Sequence, residues 1–276
     1  KILTLAEKSV CLKEFQFNEK DSLFGGSSSL VNGFKNRKEL FYPLSQSSWD
    51  YNEYNAIIDQ LYTGNLTMGE KVEKFEKSFA EFFGVKYAIM VNSGSSANLL
   101  IVAALTLLQK YDFKKGDEII VPSLGWSTSY IPFTQYGLKL KFVDIDEQTF
   151  NIDPKKIKSA ISKKTKGILA INILGNPVEF KKIKEICDTN KLLLIEDNCE
   201  SLGAKYGDKY TGNFGTAASH SFFFSHHIQT IEGGMITTND KDICEYTRSL
   251  RAHGWSRDSL EKDSFSESPS AKFKNS

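Results

Sequence analysis

The chain has 276 residues, of which 40% are hydrophobic and 25% charged, and its 35 Lys and Arg nearly balance 34 Asp and Glu for a net charge of +1. These values exclude a disordered chain, a collagen-like chain and a small disulfide scaffold, and they offer no broad basic surface for nucleic acid. The length suits one or two domains.

Residues 1–40 read as irregular, with a linker-like Gly/Ser run after Phe24. Helical spacing begins near Asp50. Ile57, Ile58, Leu61 and Tyr62 recur on one face, and Val72, Phe75, Phe79, Phe82 and Phe83 do so again, which predicts two amphipathic helices. From Lys86 the pattern alternates. Strands are expected at 87–91, 118–122, 140–144, 167–172 and 192–195, with strand-like segments at 219–224 and 234–238. Helices are expected at 96–110, 127–136, 153–161 (with Pro154 at its first position), 178–189 and 240–252. The alternation predicts an α/β fold with a mostly parallel central sheet flanked by helices. In such sheets a ligand sits outside the carboxyl ends of the strands.

No apolar run approaches the roughly 18 residues that a membrane-spanning helix needs. Glu7, Lys8, Lys13 and Glu14 interrupt any signal-peptide core. The four cysteines, Cys11, Cys187, Cys199 and Cys244, are scattered without a CxxC pair, which argues against a zinc ribbon and fits a cytoplasmic, reducing setting.

Four segments at the strand ends carry chemistry. The strand at 87–91 runs into Asn92-Ser93-Gly94-Ser95-Ser96-Ala97-Asn98 and then a helix, so backbone amides and hydroxyls at a helix start can take a phosphate, or form a capped βα turn. The loop is neither a GxGxxG nor a P-loop motif. Asp197 ends a buried strand and calls for a partner: a metal, a buried cation, a protonated heterocyclic nitrogen, or the amides of an N-cap. Trp126, after the strand at 118–122, can stack on a planar ring or serve as a core or rim aromatic. Finally, three of the four histidines, His220, His226 and His227, fall between Ser219 and Gly234. They lack the helical i, i+4 pair with an intervening Glu of a zinc site, so no metal is expected.

These segments, in this order and ending in Glu232-Gly233-Gly234, resemble the DegT/DnrJ/EryC1/StrS sugar-aminotransferase family over residues ~40–255. The resemblance implies the large domain of a fold-type-I pyridoxal-phosphate (PLP) enzyme. One departure stands out. Aminotransferases of the family carry their Schiff-base lysine where this chain has His226, and no lysine lies between Lys209 and Lys241. An imidazole forms no stable imine but serves as an acid or base near neutral pH. The exchange resembles the family's nucleotide-sugar 3-dehydratases. One branch of these needs only the B6 cofactor and glutamate and acts on a GDP-linked sugar. The other acts on a CDP-linked sugar and carries a [2Fe–2S] cluster. A cluster needs four thiolates, and only Cys244 lies downstream of His226. The segments Thr67-Met68-Gly69-Glu70 and Arg251-Ala252-His253-Gly254-Trp255 also look closer to the GDP branch.

The resemblance implies the following roles. Gly94, Ser95 and the Ser221 hydroxyl hold the cofactor phosphate, Trp126 stacks on the pyridine ring, Asp197 pairs with the ring nitrogen, and Glu200 faces the ring hydroxyl. Glutamate converts PLP to pyridoxamine phosphate (PMP), whose amine condenses with the 4-keto group of an NDP-4-keto-6-deoxyhexose. His226 takes the C4′ proton and the C3 hydroxyl departs, in deoxysugar (O-antigen or lipopolysaccharide) biosynthesis. His227 ranks second as the base, and His220 and His253 are structural. Relatives act as homodimers and carry a C-terminal small domain. The opening Lys1 and the Ser-rich end at 264–276 therefore suggest a truncated chain: an N-terminal extension at 1–40, a cofactor-binding large domain at 41–255, and the start of a linker or small domain at 256–276.

Overall fold

The computed structural model describes residues 48–255. The expectations for 1–40, 256–276 and Cys11 lie outside the described residues. The chain divides into two compact units between Glu73 and Lys74. In the first, helix α1 (Tyr51–Thr63) starts with a capping box. Asp50 accepts from the Asn52 amide at 2.7 Å, and Glu53 accepts from the Asp50 amide at 2.8 Å. Gly64, in the left-handed region with φ 67°, ends it. Helix α2 spans Glu70–Phe83.

The second unit is built on a seven-stranded sheet. Its strands are β1 (Tyr87–Val91), β2 (Glu118–Pro122), β3 (Lys139–Val143), β4 (Thr165–Ile171), β5 (Leu193–Asp197), β8 (Ala217–Ser221) and β9 (Gly234–Thr238), in the order β1-β9-β8-β5-β4-β2-β3. Only β9 runs against the rest, pairing antiparallel with both β1 and β8. Alternation along β2 shows how the two faces are filled. Ile119 and Val121 join a core with α3 (Gly94–Leu107), α4 (Ser127–Gln135) and α7 (Lys241–Arg251). Ile120 points the other way, into a core with α5 (Pro154–Ala160) and α6 (Phe180–Asn190). Burial on both faces explains why the central strands read as unbroken apolar runs.

Several element bounds shift by a few residues, as where the helix expected at 96–110 is Gly94–Leu107, and two segments depart further from the pattern read in the sequence. The strand expected at 219–224 is Ala217–Ser221, because pairing with β9 takes five buried residues, Ala217 to Ser221, and leaves the Phe222-Phe223-Phe224 run outside the ladder. A short hairpin, β6 (Lys205–Tyr206) and β7 (Lys209–Tyr210), turns through Gly207-Asp208 and was not anticipated, since two-residue strands carry no periodicity. Among the described residues no helix is long and apolar enough to cross a membrane.

Candidate active site

The parallel strands β1, β5 and β8 deliver Ser93, Asp197 and Ser221 to one edge of the sheet, where β9 begins with Gly234 opposite Val91 and Ser221. This corner is packed to backbone contact. A Cβ on Gly234 would lie 2.4 Å from the Ser93 carbonyl, and a Cβ on Gly94 would lie 2.6 Å from Cys199 Sγ and 2.7 Å from Ser221 Cβ. Only glycine fits at either position.

Ser93 caps α3. Its hydroxyl accepts from the Ser96 amide at 3.0 Å and its carbonyl from the Ala97 amide at 3.0 Å. The Gly94 and Ser95 amides of the first turn have no acceptor among the described residues. Beside them the Ser221 hydroxyl accepts from the Phe223 amide at 3.3 Å. The helix dipole and these donors make an anion cradle.

Asp197 lies at the centre, 5% exposed. Its Oδ2 accepts from Ser129 Oγ at 2.6 Å and from Asn98 Nδ2 at 2.9 Å, and its Oδ1 accepts from the Cys199 amide at 3.1 Å. All three donors are neutral. Ser129 does not stand out in the sequence, and Asn98, the last residue of the Asn92–Asn98 segment, carries no sign there of a partner on β5. Each is a polar position in a helix, and only the fold brings both to the end of β5. Burial pushes the adjacent Cys199 thiol well above its usual range, so it stays protonated.

Glu196 points to the opposite face of the sheet and has a structural task. Its carboxylate accepts from the amides of Gly212, Phe214 and Gly215 at 2.6–2.7 Å, fixing the loop that leads into β8. Full burial raises its pKa, and these three amides oppose the shift.

His226 sits on the irregular loop between β8 and β9, half-buried, with its amide on the Phe223 carbonyl at 2.9 Å. Its buried Nδ1 has no hydrogen-bond partner among the described residues. Burial pushes its pKa below the usual histidine value. The Glu200 carboxylate pulls it back up, His227 pushes it down, and the nearby Ser221 backbone and the charge of Asp197 act upward. His227 is exposed beside it.

His220 belongs to the scaffold. Asn198 Nδ2 lies 3.3 Å from its Nδ1, and Thr237 Oγ1 lies 3.0 Å from its Nε2 and donates to the Gly212 carbonyl at 3.1 Å. An amide nitrogen can only donate, so Nδ1 accepts and Nε2 carries the proton. Burial lowers the His220 pKa to about 3. The unfolded chain therefore binds a proton below about pH 6.5 that the folded chain refuses. This contribution to stability is intact above pH 6.5 and is lost as pH falls towards 3. Denaturant unfolding should show about 2 kcal/mol less stability at pH 5 than at pH 7.5 from this group. His253 is exposed at the end of α7, away from these residues in the chain.

Trp126 immediately precedes α4 and is 72% exposed, which excludes a core position and leaves a rim aromatic or a ring-stacking indole. Glu200 accepts from the Leu174 amide at 3.0 Å through Oε2. Cys187 and Cys244 are buried on α6 and α7. Among the described residues no group of three or more His, Cys, Asp or Glu is placed to hold a metal ion.

The DegT/DnrJ/EryC1/StrS aminotransferase family model matches residues 48–274. The chain belongs to this family. Within the family it is 51% identical over 216 residues to the GDP-4-keto-6-deoxy-D-mannose 3-dehydratase of Yersinia pseudotuberculosis, covering 78% of this chain and 55% of that protein. The Escherichia coli GDP-4-keto-6-deoxy-D-mannose-3-dehydratase, solved with bound hydrated PLP, superposes with a TM-score of 0.77 at 51% identity, covering 80% of this chain and 57% of that one. A GDP-4-keto-6-deoxymannose-3-dehydratase structure with a trapped PLP-glutamate geminal diamine gives 0.76 at 51% identity, covering 78% and 56%. The chain thus spans about half the length of the curated relatives it matches. Its described residues have the family's large-domain fold, as the mostly parallel sheet required.

Proposed function

We propose that this chain is the cofactor-binding part of a PLP/PMP-dependent nucleotide-sugar 3-dehydratase, a lyase that removes the C3 hydroxyl of an NDP-4-keto-6-deoxyhexose with L-glutamate as amino donor. The reading includes residues 41–255 as the cofactor domain, a homodimer, a cytoplasmic site of action and a role in deoxysugar or lipopolysaccharide biosynthesis. The relatives at 51% identity, named for a GDP-linked sugar, support GDP over CDP.

The observation that carries the reading is His226: an imidazole in the loop before Glu232-Gly233-Gly234, its buried Nδ1 lacking a partner among the described residues. The other residues fit the cofactor. Asp197 is a buried carboxylate whose contacts here are all neutral, and a protonated pyridine nitrogen would supply the missing countercharge. The Gly94 and Ser95 amides and the Ser221 hydroxyl suit its phosphate, and the open indole of Trp126 suits the ring face. Bound there, the cofactor supplies an amine for the 4-keto carbon and a pyridinium that accepts electrons.

The chain's own contributions follow from position and charge. Asp197 holds the proton on the ring nitrogen. Glu200 tunes the ring hydroxyl and, through its charge, the basicity of His226. His226 is neutral at working pH, takes the proton from the cofactor C4′ carbon, and returns it to the departing C3 oxygen. His227 is the competing base, but its exposure favours His226. The lack of a lysine between Lys209 and Lys241 leaves no amine in this loop to hold the cofactor covalently.

The test is the intact mass of the PLP-loaded protein after borohydride reduction. The reading expects no cofactor fixed to the site loop. A stoichiometric phosphopyridoxyl group mapped to a residue of this site would overturn it.

A further inference from the structure

We infer that Ser129 is a positioning residue that locks the ring-stacking indole and the ring-nitrogen carboxylate into one unit, with Asn98 as its partner in selecting the carboxylate oxygen that faces the ring nitrogen. This rests on the PLP reading above.

A carboxylate offers about four acceptor positions, two on each oxygen. On Asp197, Ser129 Oγ and Asn98 Nδ2 fill both positions of Oδ2, at 2.6 Å and 2.9 Å. The Cys199 amide fills one position of Oδ1, at 3.1 Å. The Cys199 thiol also lies against this carboxylate, and Oδ2, with two strong donors, is the oxygen already occupied, which leaves Oδ1 as the one that can turn to a ring nitrogen. Every donor in the set is neutral, so the carboxylate is held ionised by hydrogen bonds while its charge stays available to a cation.

Ser129 does a second thing. Its amide donates to the Trp126 carbonyl at 3.0 Å while its hydroxyl reaches Asp197. A single residue in the first turn of α4 thus ties the turn bearing the exposed indole to the end of β5. Asn98 reaches the same oxygen from α3, the helix whose first turn forms the anion cradle. The three subsites assigned to phosphate, ring face and ring nitrogen share these two side chains as braces. Preorganisation of this kind lowers the ordering cost of binding.

The test uses Ser129→Ala, Ser129→Thr and Asp197→Ala in the full chain. The first readout is PLP affinity, by titration followed through tryptophan fluorescence. The second is the pH dependence of the bound cofactor's absorbance, which reports the ring-nitrogen proton. Ser129→Ala should weaken PLP binding about tenfold or more, as expected for losing a hydrogen bond to a charged group, and should shift the pH at which the ring-nitrogen proton is released. Ser129→Thr, which keeps a hydroxyl, should restore both, and a purely structural defect would not be rescued in this way. If Ser129→Ala binds within twofold of the parent with an unchanged titration while Asp197→Ala loses both, the inference fails and the cofactor reading stands. If Asp197→Ala also changes neither, both fail.

Discussion

Replacing His226 by alanine is expected to lower turnover by about 10²–10⁴-fold while PLP and PMP still bind, because general acid–base groups contribute on that scale. The cofactor contacts proposed here come from other elements: the start of α3, the end of β5, the turn before α4 and the end of β8. Loss of the imidazole should therefore appear in kcat far more than in KM. The pH profile carries a second signature. Burial holds the His226 pKa below the ordinary histidine value, so the neutral base persists to lower pH, and activity falls only as pH drops through that lowered pKa. Glu200→Gln removes the largest influence acting upward on His226 and should move the acidic limb of the profile further down. His226→Lys should abolish dehydration and create the covalent attachment that the present loop cannot make. A His226→Ala protein with full turnover would transfer the role to His227 or to a group outside this loop.

The largest stability effect is expected at Glu76, remote from the chemistry. This carboxylate on α2 is 4% exposed. It accepts from Arg251 Nη1 at 2.6 Å, from Arg248 Nη2 at 2.8 Å and from the Met90 amide at 2.9 Å, while Arg251 Nη1 also donates to the Met90 carbonyl at 2.9 Å. One side chain therefore joins α2, β1 and α7. Removing it leaves two half-buried arginines without that counter-ion, and breaking such a pair costs up to about 3–5 kcal/mol. For a domain of this size Glu76→Ala should lower Tm by about 10 °C. Glu76→Gln, which keeps a hydrogen-bonding group but not the charge, should fall between the two. Calorimetry on the three proteins checks this, and equal melting of Glu76→Ala and the parent would show that the network contributes nothing net.

Much of this architecture is legible in the residues because both faces of the sheet are buried. The runs at 87–91, 118–122 and 234–238 begin and end where their apolar content does, and the structure keeps those bounds. Helix starts were legible where a side chain caps them, as Asp153 does for α5 and Asp240 for α7. The start of α3 lay two residues earlier than its apolar pattern suggested, because Ser93 caps it and Gly94 can approach Ser221 closely enough to open the helix there. Site residues were legible where strand ends carry unusual polarity, as at Asp197. They were not legible where the polarity is ordinary and the meaning lies in the packing. Asn98 and Ser129 are 31 residues apart in the chain and share one carboxylate oxygen only because α3 and α4 lie on the same face of the sheet. Phe222-Phe223-Phe224 misled for the converse reason. An apolar run suggests a strand, but the ladder with β9 is set by the buried residues before it, Ala217 to Ser221.

The central claim, dehydration through His226 in place of transamination through a lysine, is tested most directly by product analysis. The protein is mixed with PLP, L-glutamate and GDP-4-keto-6-deoxymannose, and both ammonia and sugar products are followed. The account predicts ammonia release matched by a 3-deoxy-4-keto sugar nucleotide, with His226→Ala producing neither at more than a trace. A 4-amino sugar nucleotide formed without ammonia release would contradict it.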